Sequence, residues 1–197
     1  MKLIITRHGE TIENREGIIQ GQLPGTLSDL GVEQAKKVAK RLKDEKLDAI
    51  YSSDLARSAD TAGEIGKFHP KVKISYVQAL RERDLGEYQG KRMVDVGIDP
   101  KNFKWSLVKP KQGETVEQLF FRAEGFLDKI LHKHHKDTVL FVGHDGINKA
   151  IIAVITGKKP ADFASIEVTH NASISIYEID EEKNHKIHLF NCIKHLG

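Results

Sequence analysis

Side chains suited to phosphate chemistry follow three short apolar runs of this sequence. Arg7 and His8 come directly after the first run. Arg57 follows the second run, and His144 comes just after the third. A guanidinium is a permanently charged fork that fits phosphate oxygens, and a neutral imidazole can attack phosphorus. If the three runs are neighbouring strands, these residues indicate a pocket for phosphoryl chemistry.

Hydrolysis of a phosphate monoester sets further requirements. The ester is nearly a dianion at neutral pH, because its second pKa is about 6. One histidine can act as the nucleophile in its neutral form, and a second, kept protonated by the dianion, can stabilise the transferring group. A carboxylic acid must then protonate the departing alcohol. Glu82, Asp84 and Glu87 are candidates, and their spacing alone does not choose among them.

Apolar patterning predicts the elements that position these side chains. We expect strands at 3–5, 49–51, 72–77 and 139–142 and a closing hairpin around 182–184. Between them lie helical patterns, for which Ser28, Asp54 and Thr115 are candidate N-caps. Strands that alternate with helices predict an α/β fold, a three-layer α/β/α sandwich with a mostly parallel central sheet. Sites in such sheets form at the carboxyl ends of the strands, where the polar clusters lie.

Composition limits the classes of protein to which the chain can belong. Its 197 residues, 39% apolar and 30% charged, fit one globular domain over 1–197. The net charge of +3 is too mild for a nucleic-acid-binding protein, and no apolar run is long enough for a signal peptide or a membrane span. The single cysteine, Cys192, fits a reducing compartment. We expect a cytoplasmic monomer or homodimer that binds a small phosphorylated substrate, without nucleic-acid or membrane partners.

The run Arg7-His8-Gly9-Glu10-Thr11 resembles the signature of the histidine phosphatase superfamily, whose fold is described as phosphoglycerate mutase-like. Further motifs follow in the family's order, so that the resemblance covers nearly the whole chain. They are Asn14, Gln20-Gly21, Leu27-Ser28 with Gly31 and Gln34-Ala35, the run 51–57, Leu80-Arg81-Glu82 with Gly86 and Gly90, Gly113-Glu114-Thr115, and Gly143-His144. A lone Arg-His-Gly would be weak evidence, whereas this ordered set is specific.

The resemblance implies a role for each matching position. His8 would be the nucleophile that carries the phosphoryl group, and Glu82 the general acid and base. The phosphate pocket would comprise Arg7, Arg57, Asn14 and His144, with Gln20 and Gly21 beside the substrate. The family's chemistry needs neither a metal nor another cofactor. The resemblance thus implies a metal-independent phosphomonoesterase that forms a phosphohistidine.

Two features favour hydrolysis over the mutase reaction known in the same superfamily. Cofactor-dependent mutases usually have a small hydroxyl residue where this chain has Gln20, and an Arg-Arg pair after a Trp, whereas Trp105 is followed here by Ser106 and Leu107. The chain is more similar to the small phosphatases, which include α-ribazole phosphatase-like, broad-specificity and fructose-2,6-bisphosphatase-like members. A phosphoglycerate mutase and a non-catalytic phospho-ligand-binding protein are the alternatives.

One position departs from the family's pattern. The residue after His144 is Asp145, and a carboxylate in the pocket would repel a phosphate dianion. We expect Asp145 to cap the next helix, with its oxygens on backbone N–H groups. The alternative is a pocket suited to a substrate that carries a hydroxyl or an amine beside the phosphate.

Two basic segments invite other interpretations. The tract 132–135 contains three histidines, but no cysteine or carboxylate cluster completes a metal site, and we expect a solvated helix end. Lys104, Lys109 and Lys111 lie in an irregular segment expected to overhang the pocket. They could meet a second anionic group of the substrate, although a solvated loop explains them equally well.

Overall fold

A computed structural model describes residues 1–98 and 108–197. The six strands are β1 (Lys2–Arg7), β2 (Ala49–Ser52), β3 (Ile74–Tyr76), β4 (Thr138–Gly143), β5 (Ile174–Ile179) and β6 (His185–Cys192). The five α-helices of the described ranges are α1 (Ile12–Glu16), α2 (Asp29–Leu42), α3 (Ala56–Gly66), α4 (Val116–Lys133) and α5 (Asp145–Ile155). Within the same ranges, none of the helices combines the length and apolarity that a bilayer span requires.

The six strands form one mixed sheet in the order β3-β2-β4-β1-β5-β6. The first four strands in this order are parallel to one another, and β5 and β6 add an antiparallel edge. Because β1 lies beside β4 and β4 beside β2, the three strand ends that carry the polar clusters are neighbours. The predicted sandwich with a mostly parallel sheet is therefore confirmed, as is the closing hairpin.

Alternate residues of the central strands bury opposite faces of the sheet. On β1, Leu3 and Ile5 pack into the core beneath α4 and α5, whereas Ile4 packs into the core beneath α2 and α3. On β4, Phe141 and Leu140 divide between the two cores in the same way. Strands covered on both faces need continuous apolar runs, which is the pattern that predicted them.

Two of the three predicted helix caps are confirmed, and one is wrong. The Ser28 Oγ accepts the Gly31 N–H at 3.0 Å, and Thr115 forms a capping box with Gln118. Asp54 does not cap α3, because the N-cap residue is Leu55 and no side chain caps that helix. The Asp54 carboxylate instead binds the Arg81 guanidinium through two hydrogen bonds of 2.7 and 2.6 Å.

The loop after β1 contains an element that the sequence pattern did not predict. The five-residue helix α1 begins after Thr11, whose Oγ1 accepts the Asn14 N–H at 3.0 Å. The Asn14 Oδ1 accepts the Thr11 N–H in return, at 3.2 Å. This reciprocal cap fixes the loop that lies beside the end of β1, although a helix this short shows little periodicity.

Candidate active site

One cavity of about 270 Å³ opens at the carboxyl ends of the parallel strands. We call it the strand-end cavity. Its described lining residues are Arg7, His8, Asn14, Ile18, Ile19, Gln20, Gly21, Arg57, Glu82, Arg83, Leu85, Met93, Asp145, Gly146, Lys149, Phe163 and Val168. Eight of the nine site residues predicted from the sequence are in this set, and His144 is the exception.

His8 is held with one ring nitrogen on the backbone. It follows β1, where its N–H donates to the Gly143 carbonyl at the end of β4 at 3.1 Å. Its Nδ1 lies 2.6 Å from the Gly9 carbonyl oxygen. A carbonyl can only accept, so Nδ1 carries the proton and Nε2 keeps the free electron pair. The ring is 3% exposed and is oriented for attack through Nε2.

Close packing around Gly9 keeps this orientation. The Gly9 N–H donates to Thr61 Oγ1 on α3 at 3.2 Å. A Cβ on Gly9 would overlap the carbonyl group of Gly31, at the start of α2. The glycine therefore allows the β1 loop to lie against two helices, and its fixed peptide in turn fixes the ring of His8.

Arg57 is a fully buried cation on α3 whose three nitrogens are all engaged. Nη1 and Nη2 donate to the carbonyls of Leu23 and Gly21, each at 2.8 Å. Nε donates to His144 Nδ1 at 3.2 Å. Burial lowers the pKa of Arg57 to about 10, so the guanidinium still carries its charge at neutral pH. These bonds hold a rigid positive charge at the wall of the cavity.

Arg7 supplies the second guanidinium. Its Nη1 donates to the Thr169 carbonyl at 2.6 Å, which ties the side chain to the segment before β5. Its Nε is buried and has no hydrogen-bond partner in the described part of the chain. A buried donor without a partner is costly, and an anionic oxygen in the cavity would satisfy it.

His144 contacts His8 but is not among the described residues that line the cavity. Its ring is fully buried, and its centroid is 5.0 Å from that of His8 in an edge-on arrangement. Nε2 lies 3.2 Å from Ser58 Oγ, which donates to the Gly143 carbonyl at the same distance. Burial lowers the pKa values of both histidines well below the ordinary value, and the charge of Arg57 lowers them further. Both shifts favour the neutral imidazole, and protonation of His144 by a bound dianion remains a prediction.

Glu82 is the one of the three candidate carboxylates that lines the cavity. Its Oε1 accepts the Arg83 N–H at 2.7 Å, and its Oε2 accepts the Gly146 N–H at 3.1 Å, in the first turn of α5. Burial raises the pKa of the Glu82 carboxyl, and the charge of Asp145 raises it further. Such a carboxyl keeps its proton to a higher pH than usual, which suits a general acid. Asp84 instead closes its own turn by accepting the Gly86 N–H at 2.8 Å.

The prediction that Asp145 caps the next helix is wrong. Helix α5 begins at Asp145 itself, and the N-cap residue is His144, whose side chain caps nothing. The Asp145 Oδ1 accepts the N–H and the hydroxyl of Thr169, at 2.7 and 3.0 Å. The carboxylate that accepts an N–H of α5, that of Gly146, belongs to Glu82 in another loop. A Cβ on Gly146 would overlap Glu82 Oε1, so this glycine admits the carboxylate.

Asn14, Gln20 and Gly21 also line the cavity. Asn14 belongs to the α1 cap, and Gln20 Nε2 donates to Thr11 Oγ1 at 2.9 Å. The Gln20 Oε1 is buried and has no hydrogen-bond partner among residues 1–98 and 108–197. Gly21 has a φ of +52° and presents its carbonyl to Arg57. The contact of Asn14 with the phosphate group, and that of Gln20 and Gly21 with the substrate, remain predictions.

Sequence reasoning missed two residues that bear on the cavity. Lys149 lines it from α5, and Ser58 contacts both His144 and the end of β4. A lysine within the apolar stretch 147–155 was the available signal for the first, since a buried charge is rare without a function or a partner. Ser58 has no signal in the sequence, because its contacts depend on the sheet order.

The histidine tract at the end of α4 is not wholly a solvated helix end. His134 is 8% exposed, because its Nε2 bonds to the Tyr51 hydroxyl at 2.9 Å and its Nδ1 to Asp137 at 2.8 Å. Within the described ranges, no group of three or more His, Cys, Asp or Glu residues could hold a metal ion.

The basic segment expected to overhang the pocket is described in part. Lys109 and Lys111 are exposed and are not among the described residues that line the cavity. Lys104 and the run Trp105-Ser106-Leu107 lie outside the described residues. For Lys104, both explanations given above, contact with a second anion of the substrate and a solvated loop, stay open.

Comparisons with known proteins identify the family and the fold of the chain. Residues 3–192 match the family model of the histidine phosphatase superfamily, branch 1. The chain is 34% identical to the metal-independent phosphoserine phosphatase of Arabidopsis thaliana, over 92% of this chain and 78% of that protein. It is 32% identical to phosphoserine phosphatase 1 of Hydrogenobacter thermophilus, over 100% of this chain and 95% of that protein. The solved structure of Bacillus stearothermophilus YhfR has a TM-score of 0.89 at 29% identity, covering 100% of this chain and 99% of that one.

Proposed function

The chain belongs to branch 1 of the histidine phosphatase superfamily and is a phosphomonoesterase for small phosphorylated metabolites, and we propose that His8 and Glu82 carry its chemistry. In this proposal His8 takes the phosphoryl group and Glu82 moves the protons. The relatives described above are named as phosphatases, which does not favour the mutase or the non-catalytic alternative.

The observation that carries the proposal is the 2.6 Å contact between His8 Nδ1 and the Gly9 carbonyl. It fixes the tautomer, and it leaves a neutral imidazole with its free electron pair on Nε2, in a cavity walled by Arg7 and Arg57. Burial and the nearby guanidinium groups lower the pKa of His8, which favours the neutral, nucleophilic ring. A neutral nucleophile between two fixed cations suits a dianionic phosphate ester.

Two displacements at phosphorus complete the reaction. In the first, His8 Nε2 attacks while the bond to the ester oxygen breaks, and protonated Glu82 gives its proton to that oxygen, so that a neutral alcohol leaves. In the second, the Glu82 carboxylate takes a proton from water as the water oxygen attacks phosphorus. The N–P bond breaks, its electron pair returns to Nε2, and inorganic phosphate leaves.

The guanidinium groups bind the transferring group throughout both steps. Arg7 Nε is the donor that has no partner in the described part of the chain, and it can take one phosphate oxygen. Arg57 contributes a fixed charge, since the carbonyls of Gly21 and Leu23 hold it in place. Donors that are already oriented need no reorganisation as charge develops on the equatorial oxygens.

Phosphate release from a panel of monoesters tests the proposal. We expect the wild-type protein to release phosphate in excess EDTA, and the His8→Ala variant to lose at least 10³-fold in kcat. His132→Ala, a change at an exposed histidine of α4, is the matched control and should keep wild-type turnover. Turnover that EDTA abolishes, or a fully active His8→Ala variant, would contradict the proposal. Conversion of 3-phosphoglycerate to 2-phosphoglycerate faster than phosphate release would favour the mutase.

We also propose that the protein acts in the cytoplasm as a single-domain monomer or homodimer. The single cysteine and the mild net charge of +3 support this setting. Fractionation of the source cells and light scattering of the purified protein test the location and the oligomeric state respectively.

A further inference from the structure

Lys149 is a buried cation that the phosphatase chemistry does not use. It lies on α5, is 8% exposed, and lines the strand-end cavity together with His8 and Glu82. Its Nζ is 4.7 Å from the centroid of the Phe163 ring. Within residues 1–98 and 108–197 it has neither a hydrogen bond nor an ion pair. The ammonium group thus faces the cavity with an aromatic face as its contact and can bind an anion that enters there.

The carboxylates of the cavity do not supply this anion. Asp145 stands four residues before Lys149 on the same helix, a spacing that allows an ion pair. Its Oδ1 is bound instead to the N–H and hydroxyl of Thr169, and no ion pair with Lys149 forms. Glu82 accepts two backbone N–H groups, and its raised pKa favours the protonated form. The charge of Lys149 therefore remains available to a ligand.

The phosphoryl group does not need this cation. The two negative charges of a phosphate dianion match the two positive charges of Arg7 and Arg57, which line the cavity with the nucleophile His8. Lys149 lies beside Phe163, which with Val168 gives this part of the wall apolar surface. A substrate whose only anion is the phosphate would leave the ammonium group without a partner.

We propose that Lys149 is a specificity residue that binds a second anionic group on the leaving alcohol of the substrate. The group is a carboxylate or a second phosphate, seated against Nζ beside the Phe163 ring. This inference rests on the proposed function, because it assigns the leaving-group end of the same site. It places the substrate among phosphorylated acids and bisphosphates rather than among esters of neutral alcohols.

Matched substrate pairs test this proposal. 3-Phosphoglycerate and glycerol 3-phosphate differ in one group, a carboxylate against a hydroxymethyl. Fructose 1,6-bisphosphate and fructose 6-phosphate differ by the second phosphate, so the two pairs distinguish the two anions. Each substrate is assayed with the wild-type protein, with Lys149→Gln and Lys149→Arg, and with Lys158→Gln, the same charge change at an exposed lysine just beyond α5.

We expect the wild-type kcat/KM for the anionic member of at least one pair to exceed that for its partner by 10-fold or more. Lys149→Gln should lower kcat/KM for that member 10- to 100-fold, chiefly through KM, and change the neutral member less than 3-fold. Lys149→Arg should retain most of the preference, and Lys158→Gln all of it.

Three results would overturn the inference. A wild-type protein that hydrolyses both members of each pair equally well has no site for a second anion, and this measurement needs no variant to fold. An equal loss on both members in Lys149→Gln would assign the lysine to the phosphate or to stability. An unchanged preference would show that it binds nothing. Failure of the proposed function is distinguishable from these results, because it would appear as turnover that EDTA abolishes or as a fully active His8→Ala variant.

Discussion

Replacement of Glu82 by glutamine should separate the proton transfer from the phosphoryl transfer. The carboxylate accepts two backbone N–H groups, from Arg83 at 2.7 Å and from Gly146 at 3.1 Å. A glutamine amide has one oxygen, so one of these donors would face an NH₂ group and lose its acceptor. An unsatisfied buried donor costs about 1–3 kcal/mol of unfolding free energy. We therefore expect a folded variant with a lower melting temperature.

The loss of catalysis should depend on the leaving group. General acid catalysis contributes about 10²–10⁴ in rate, which corresponds to about 2.7–5.4 kcal/mol of transition-state stabilisation. An alkyl phosphate needs this proton, because an alkoxide is a poor leaving group, whereas p-nitrophenolate leaves without it. Glu82→Gln should therefore lose about 10²–10⁴ in kcat on glycerol 3-phosphate and less than about 10-fold in p-nitrophenol release in a single turnover.

The assay compares both substrates in steady-state and single-turnover experiments. Glu87→Gln, the same change at an exposed glutamate of the same segment, is the control and should retain wild-type rates on both. Equal losses of rate on the two substrates would show that Glu82 maintains the structure of the site and does not transfer the proton. A wild-type rate on glycerol 3-phosphate would refute the assignment of the acid outright.

Two further changes test how the site is held. Burial is the main cause of the raised pKa of Glu82, and the charge of Asp145 is the second. Asp145→Asn removes that charge, so the alkaline limb of kcat/KM on an alkyl phosphate should move to lower pH. A pH–rate profile with an unmoved limb would contradict this. Gly9→Ala places a Cβ against the Gly31 carbonyl, and the resulting shift should cost about 1–3 kcal/mol of unfolding free energy and lower kcat at least 10-fold. Denaturant unfolding and steady-state assays measure both effects, and a destabilised variant with wild-type kcat would show that the Gly9 peptide does not orient His8.

Much of the fold could be predicted from local patterns. The continuous apolar runs at Leu3–Ile5 and 139–142 predicted strands because a sheet covered on both faces requires them. Thr115 predicted a helix start through a capping box that lies within four residues. The general rule for parallel sheets then placed Arg7, His8 and Arg57 at one edge, where the cavity lies.

The errors concern polar side chains whose partners are distant in sequence. Asp54 was expected to cap its own helix, but it binds Arg81, 27 residues away. Asp145 was expected to cap the helix that follows it, but it binds Thr169, 24 residues away. The carboxylate of Glu82, from another loop, accepts the Gly146 N–H of that helix instead. A local sequence pattern cannot predict these hydrogen bonds, because it is the fold that brings the distant partner close to the carboxylate.

The most direct test of the account is to identify the residue that carries the phosphoryl group during turnover. Rapid quenching into alkali, in which phosphohistidine survives, followed by peptide mass spectrometry, should find one phosphoryl group on His8. That group should disappear at the rate at which inorganic phosphate is released. A phosphoryl group on any other residue would contradict the account, as would turnover in which no covalent intermediate forms and the His8→Ala variant remains active.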